Sequence, residues 1–151
     1  MTHTSYRLAT SLFIVLAIVA CNPPTDADRA VDLLVETDKS VYSLAADRAA
    51  QPFLINRGPV AVYAPMNEYV AVQRFEDGRW QEPHPWFAVD GTSSSFPIEP
   101  GDTLKALPMD FAYVARAPGV YRFVFEIAHD PHGRHLVSEA ARTSPLFELR
   151  P

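Results

Sequence analysis

The sequence predicts an all-β fold, an antiparallel β-sandwich of about seven short strands that follows an N-terminal targeting segment. Apolar and polar residues alternate with a period of two in several segments, as they do in strands that bury one face. Prolines outnumber glycines by 14 to 6, and prolines at such spacing separate short strands and interrupt helices. The one segment with helical character, 138–142, is too short to form a stable helix. We therefore expect a core buried between sheets.

The N-terminal segment contains, in order, one positive charge, an apolar run and the only cysteine of the chain. Arg7 precedes the apolar run 12–20. The run ends in the tetrad Ile18-Val19-Ala20-Cys21. This order resembles the signal peptide of bacterial lipoproteins. The resemblance implies that a signal peptidase removes residues 1–20 and that the Cys21 thiol receives a diacylglyceryl group. A further acyl chain on the freed amine would make the membrane attachment permanent, because a single chain binds only reversibly.

Two other interpretations of this segment stay open, an ordinary cleaved secretory signal and an uncleaved membrane helix. The apolar run 12–20 is far shorter than the roughly 20 residues that span a bilayer, which disfavours the helix. Asn22 follows the cysteine. In the lipoprotein family an Asp at that position retains the protein in the inner membrane. The resemblance therefore implies a lipid anchor in the outer membrane that faces the periplasm, with the inner membrane as the alternative.

Charge and composition restrict the partners that residues 21–151 can have. This part of the chain holds 12 Lys and Arg against 18 Asp and Glu, a net charge of −6. The basic residues are scattered singly, which argues against a nucleic-acid partner, and the acidic balance offers no attraction to anionic lipid. Residues 22–30 are rich in Pro and Asp and predict a flexible tether after Cys21. Residues 31–151 then form one domain close to the bilayer.

The first two strands are predicted from alternation. Over 31–35, the odd-numbered residues are Val, Leu and Val, and they face inward in a half-buried strand. A second strand, 52–56, carries Phe53 and Ile55 on its apolar face. The Asn-Arg-Gly-Pro sequence at 56–59 predicts the turn that ends it.

The middle of the domain is predicted from its turns. A third strand, 69–75, leads to an Asp-Gly pair at 77–78, which is a strong hairpin signal before Trp80. We expect the Trp80 ring to cover the sheet. The Glu-Pro-Gly-Asp sequence at 99–102 has Pro and Gly where a type II turn needs them, and a strand over 103–109 follows it.

The last strands have the clearest pattern. Over 120–127, four odd-numbered apolar residues face one way, and the polar residues face the other. A final strand over 145–149 turns Phe147 and Leu149 inward. Residues 83–95 are predicted to be a loop.

Several motifs in a fixed order carry a second resemblance. They are Tyr42, Phe53-Leu54-Ile55-Asn56, Phe75-Glu76-Asp77-Gly78-Arg79-Trp80, Ile98-Glu99-Pro100-Gly101 and Pro118-Gly119-Val120-Tyr121-Arg122-Phe123. Together they resemble a bacterial immunoglobulin-like domain family over roughly 31–150. The resemblance implies an immunoglobulin-like β-sandwich that serves as an accessory or adhesion module, and related sandwiches include bacterial proteinase inhibitors. Gly119 and Tyr121 also fit a tyrosine corner, in which the phenol ties the preceding connection to the sheet.

The loop around His84 is the first candidate binding site. His84, Trp86 and Phe87 lie in a proline-rich stretch, and exposed aromatic rings there would suit a protein or carbohydrate partner. Trp86 and Phe87 are also suited to cap the open end of the sandwich, and we prefer that core role. In the proteinase-inhibitor alternative, the same loop would occupy a protease cleft.

The histidine-rich loop 129–135 is the second candidate. His129, His132 and His135 with a nearby Asp could bind Zn²⁺ or Cu²⁺, since both metals accept neutral imidazole. The loop lacks a thiolate, contains Arg134, and has Pro and Gly where a tight turn needs them. A polar, solvated turn is therefore the preferred interpretation.

No catalytic residue and no cofactor are predicted. The serines at 93–95, together with His84 and Asp90, supply the three side-chain types of a serine hydrolase. The sequence lacks the nucleophile elbow of that class. The sequence thus predicts a non-catalytic module that is anchored through Cys21 and binds another envelope protein. A proteinase inhibitor and, as a weaker candidate, a metal-binding envelope protein are the alternatives, and the oligomeric state is left open.

Overall fold

The computed structural model describes residues 30–66, 69–82, 84–85, 94–115 and 117–151. In these parts the chain consists mainly of short β-strands, with one 3₁₀ segment at Glu139–Arg142. The described segments contain no helix that combines the length and apolar character needed to cross a membrane. For the residues that the structure describes, the prediction of an all-β fold is confirmed.

The strands are numbered here in chain order. They are β1 (Leu33–Thr37), β2 (Val41–Ser43), β3 (Ala49–Ala50), β4 (Pro52–Asn56), β5 (Val62–Pro65), β6 (Val70–Glu76), β7 (Arg79–Trp80), β8 (His84–Pro85), β9 (Ser95–Ile98), β10 (Thr103–Lys105), β11 (Met109–Asp110), β12 (Gly119–Phe125) and β13 (Phe147–Arg150).

The larger sheet has the strand order β2-β13-β12-β6-β7, and β8 also pairs with β6. The pairings within it are antiparallel except that β2 runs parallel to β13. A smaller antiparallel sheet has the order β1-β4-β10, and the pairs β3·β11 and β5·β9 form two further short ribbons. Consecutive strands β1 and β2 therefore belong to different sheets.

Residues of both main sheets meet in one hydrophobic core. Val35 and Leu54 of the smaller sheet belong to the same buried cluster as Phe123, Phe125 and Phe147 of the larger one. Buried aromatic rings contribute most here, because the hydrophobic free energy grows by about 25 cal/mol per Å² of apolar surface removed from water. The inward faces predicted for the last two strands, β12 and β13, are confirmed, since the odd-numbered apolar residues of both are buried.

Two predicted turns have the backbone that their residues favour. Asp77 and Gly78 both have positive φ, 52° and 78°, as the central residues of a type I′ hairpin require. Gly101 has φ 88°, and the Asp102 N–H donates to the Glu99 carbonyl at 3.0 Å, which matches a type II turn. Both turn predictions are confirmed.

The tyrosine corner is also present. The Tyr121 hydroxyl donates to the Ala117 carbonyl at 2.6 Å, and burial raises the pKa of this phenol. Gly119 leaves room for the Arg74 side chain, since a Cβ at this position would lie only 3.0 Å from Nε of Arg74. The start of β12 is held by the Tyr121 hydrogen bond and by the Arg74 guanidinium, which donates to the Pro118 carbonyl at 3.1 Å.

The inward face of β4 differs from the predicted one. Leu54 and Asn56 are fully buried, whereas Phe53 and Ile55 are half-buried on the outer side. The Asn56 amide decides the orientation, since it donates to the carbonyls of Val60 at 2.8 Å and Ile98 at 2.9 Å. Alternation alone cannot choose between the two faces when both carry apolar residues.

The strand predicted over 103–109 is divided in two. β10 pairs with β4, and β11 pairs with β3. The break contains Pro108, which has no N–H for a ladder, and the Ala106 carbonyl accepts a hydrogen bond from the Gln51 side chain instead. Short strands β2, β3, β5 and β8 were not predicted. β8 lies inside the predicted loop 83–95, and β9 begins at its last residue.

Candidate functional site

The outer face of the larger sheet carries a row of apolar side chains. Phe75 lies opposite Trp80 on one side and Val120 on the other. Beyond Val120, the row continues through Glu148 to Val41. The exposed fractions are 45% for Phe75, 36% for Val120 and 41% for Val41. We call Val41, Phe75, Trp80 and Val120 the outer row.

Trp80 is held in place by its neighbours. Its ring meets Phe75 edge to face with centroids 5.2 Å apart, and the Arg122 guanidinium lies 4.4 Å from its centroid. Arg122 is fixed in turn, since Nε donates to the Gln73 side chain at 2.7 Å and a terminal nitrogen pairs with Glu139 at 2.8 Å. Stacked and edge-to-face contacts of this kind stabilise a ring by about 0.5–1.5 kcal/mol. The expected cover of the sheet by Trp80 is confirmed.

Two arginines on this face are paired with glutamates. Arg122 pairs with Glu139, and Arg150 pairs with Glu148, each at 2.8 Å. The second pair holds the pKa of Glu148 below its ordinary value, mainly through the hydrogen bond from Arg150. Exposed pairs add only about 0–1 kcal/mol to stability. They neutralise two charges of each sign beside the outer row.

Two hollows lie on the same face, towards the other end of β6 and β12. The larger, about 300 Å³, has Ala71, Val124 and Glu126 among its lining residues. The smaller, about 160 Å³, is bounded by the β5·β9 ribbon and the histidine-rich loop. Glu126 and Leu136 line both hollows, so that the two are neighbours.

Asp130 gives the histidine-rich loop its shape. Its carboxylate accepts from the backbone N–H of His132 at 2.9 Å and of His135 at 3.0 Å, and it contacts Nδ1 of His135 at 3.1 Å. Partial burial opposes ionisation, but these hydrogen bonds outweigh it and lower the pKa of Asp130. The Ser95 hydroxyl also donates to the Pro131 carbonyl. The loop is therefore ordered by its own hydrogen bonds.

The structure does not gather the three histidines into a ligand set. His135 is engaged with Asp130, His132 lines the smaller hollow, and the His129 backbone N–H donates to the His135 carbonyl. Within the described parts of the chain, no group of three or more His, Cys, Asp or Glu could hold a metal ion.

The other predicted site residues are placed only in part. His84 lies in β8, exposed, opposite Val72 of β6. Trp86 and Phe87 lie outside the described residues, as does Cys21. The binding loop predicted around His84 is thus represented by His84 and its strand neighbour alone.

The outer row was not predicted as a site, although one sequence signal pointed to it. Phe75 and Val120 stand at outward positions of β6 and β12, where alternation expects polar residues. That signal is weak, because single exposed apolar residues are common. Only the strand pairing brings the members of the row together.

No protein-family model and no curated protein matches this sequence. Among solved structures, the chain is similar to the alkylpurine DNA glycosylase AlkC of Pseudomonas fluorescens bound to DNA containing an abasic site analog, with 15% identity and a TM-score of 0.36 over 81% of this chain and 31% of that one. It is also similar to Spo0M, a sporulation control protein of Bacillus subtilis, with 12% identity and a TM-score of 0.40 over 81% of this chain and 50% of that one. The chain thus spans half or less of the length of each of these two proteins. Similarities this weak support no inference about fold or function.

Proposed function

We propose that this protein is a lipid-anchored binding module of the bacterial cell envelope, without catalytic activity of its own. The observation that carries the proposal is the outer row. Large apolar side chains that line up across a sheet and stay more than one-third exposed, such as Phe75 and Val120, are typical of a protein interaction site. Because Trp80 is already fixed by Arg122, little side-chain entropy is lost when a partner covers it.

We also propose that the domain is immunoglobulin-like. The strand orders β2-β13-β12-β6-β7 and β1-β4-β10 support this assignment, as does the passage of the chain from one sheet to the other between β1 and β2. In variable-type immunoglobulin domains the larger sheet likewise extends beyond the three strands of the constant type. The hydrogen bond from Tyr121 to Ala117 adds the tyrosine corner.

The proposed attachment to the membrane rests on the tetrad Ile18-Val19-Ala20-Cys21. Eight residues, 22–29, separate Cys21 from Ala30, where the described residues begin. Such a segment reaches at most about 30 Å when fully extended. The outer row would then act close to the bilayer, which favours another envelope protein as the partner, with the outer membrane as the proposed location.

Metabolic labelling with a fatty-acid probe tests the anchor. The full chain should incorporate the label and partition into the membrane fraction, and Cys21→Ser should lose both properties. Equal labelling of the two chains would contradict the proposal.

A capture experiment tests the outer row. The full chain in detergent micelles, used as bait in envelope extract of its own bacterium, should retain a partner that Phe75→Ser loses. Tyr113→Ser is the matched control, because Tyr113 is a more exposed aromatic residue, at 76%, that lies outside the sheets. Retention by both variants would show that the outer row is not the binding surface.

A further inference from the structure

The two hollows on the outer face are neighbours that share Glu126 and Leu136, and together they are treated as one groove beside β6 and β12. Four of its lining residues occupy outward positions in or directly after these strands: Ala71, Gln73, Val124 and Glu126. Leu136, from the loop that follows β12, lines the groove as well. We propose that this groove, here called the Glu126 groove, binds an extended peptide segment in which apolar side chains flank a lysine or arginine. The inference rests on the proposed function, since it names the chemistry of the partner.

The apolar part of the groove fits side chains of a peptide better than a whole small molecule. Pockets for small molecules usually measure about 300–1,000 Å³. The larger hollow, about 300 Å³, lies at the lower limit of that range, and the smaller, about 160 Å³, lies below it. Leu136 stays 47% exposed beside both. Neighbouring hollows of this size suit successive side chains on one face of an extended segment.

The charge of the groove selects the basic residue. Arg142 is occupied, since Nε donates to the Val137 carbonyl at 3.0 Å and a terminal nitrogen donates to the Phe125 carbonyl at 2.6 Å. Arg122 is used by Gln73 and Glu139. The Glu126 carboxylate is exposed and makes no hydrogen bond or ion pair with the described residues. Arg142 keeps its positive charge, but the lining of the two hollows holds three carboxylates, Glu126, Asp130 and Glu139, against this one guanidinium. The unpaired Glu126 carboxylate lines both hollows, and this excess of negative charge complements a cation.

Fluorescence anisotropy with two labelled peptides tests this inference on the full chain in detergent micelles. The probe is the capped peptide Ser-Val-Ser-Lys-Ser-Val-Ser, which places valine, lysine and valine on one face of an extended segment. Its matched control has glutamate in place of the lysine. We expect the lysine peptide to bind at least tenfold more tightly, and its binding to weaken as salt is added. Equal binding of the two peptides, or no binding of either, would overturn the inference.

Two variants locate the binding. Glu126→Gln should weaken binding of the lysine peptide by about fivefold, which corresponds to the loss of one exposed ion pair. Leu136→Ser should also weaken this binding. Glu36→Gln is the charge-matched control, because Glu36 is an exposed carboxylate of β1 in the other sheet. An equal loss in Glu36→Gln would contradict the assignment, since it would indicate general electrostatic attraction to an acidic chain.

The result can be separated from that of the proposed function. Phe75→Ser should leave peptide binding unchanged, because Phe75 belongs to the outer row and does not line the groove. If the lysine peptide does not bind but partner capture still depends on Phe75, the groove proposal is contradicted and the binding-module proposal stands. If neither result is obtained, both proposals are contradicted.

Discussion

The outer faces of the two main sheets contain similar apolar residues but expose them differently. On the smaller sheet, Phe53 and Ile55 are half-buried, and Lys105 lies 5.9 Å from the Phe53 ring. On the larger sheet, Phe75 and Val120 remain 45% and 36% exposed. The same kind of side chain is thus shielded on one sheet and left open on the other.

The neighbours of each ring explain the difference. Phe53 stands in register between Glu36 and Lys105, and long charged side chains cover apolar surface with their stems. On the larger sheet, Arg122 lies over Trp80 of the outer row and pairs with Glu139. Phe75 and Val120 keep their exposure beside it. An exposed apolar surface therefore depends on where the charged neighbours are held, as well as on which residues are apolar.

The largest expected effect contrasts the two sides of the larger sheet. Phe147 is 1% exposed, and its ring stacks on Tyr121 and Phe123 with centroids 5.7 Å and 4.8 Å away. Phe147→Ala should lower the free energy of unfolding by about 3–5 kcal/mol, because it leaves a cavity in the core. Chemical denaturation measures the loss. A loss below that of Phe75→Ala would contradict the assignment of inner and outer sides.

Next in size is the buried amide that orients the smaller sheet. Asn56→Leu removes two donated hydrogen bonds and the acceptor of the Gly58 N–H, 3.1 Å away. We expect a loss of about 2–4 kcal/mol, since the buried backbone groups keep no partner. Ile55→Asn is the control on the outer face and should cost less. The opposite order in thermal unfolding would mean that β4 turns its other face inward.

A smaller effect compares the two outer faces directly. Phe53→Ser should lower the free energy of unfolding by about 1–2 kcal/mol, and Phe75→Ser by less than about 1 kcal/mol, because the more exposed ring removes less surface from water. Parallel urea titrations check the difference. If Phe75→Ser were the more damaging change, the outer row would be structural and its role in binding would lose its basis.

The smallest effect concerns the histidine-rich loop beside the Glu126 groove. The pKa of Asp130 is lowered from the ordinary value of 3.8, so its hydrogen bonds stabilise the fold fully above that pH and are lost as pH falls through the lowered value. At pH 7 the Asp130→Asn variant should therefore unfold at a lower temperature than the parent. The difference between the two unfolding temperatures should become smaller below about pH 3.8. A gap that is independent of pH would assign the loop order to other contacts.

Much of the fold could be predicted where the signal is local. The strand 120–127, the turns at 77–78 and 99–102, and the Tyr121 hydrogen bond all follow from residues within a few positions of one another. β2 was missed because its three residues gain their structure from a parallel partner far along the chain, Val41 opposite Glu148. No local pattern encodes such a pairing.

The candidate sites divide in the same way. The sequence indicated a tight turn in the histidine-rich loop, and the Asp130 hydrogen bonds agree with that interpretation. It did not indicate the outer row or the Glu126 groove, because their members come from separate strands. For Cys21, Trp86 and Phe87, the sequence remains the basis of the prediction.

Neighbouring residues are enough to specify short strands with sharp turns, because alternation and positive φ are local properties of the chain. The inward face of β4 and the set of apolar side chains that stay open to solvent are fixed by the assembled sheets. Both outcomes depend on contacts between distant segments, such as Asn56 with Ile98 and Arg122 with Glu139. Such contacts form only when the sheets have assembled.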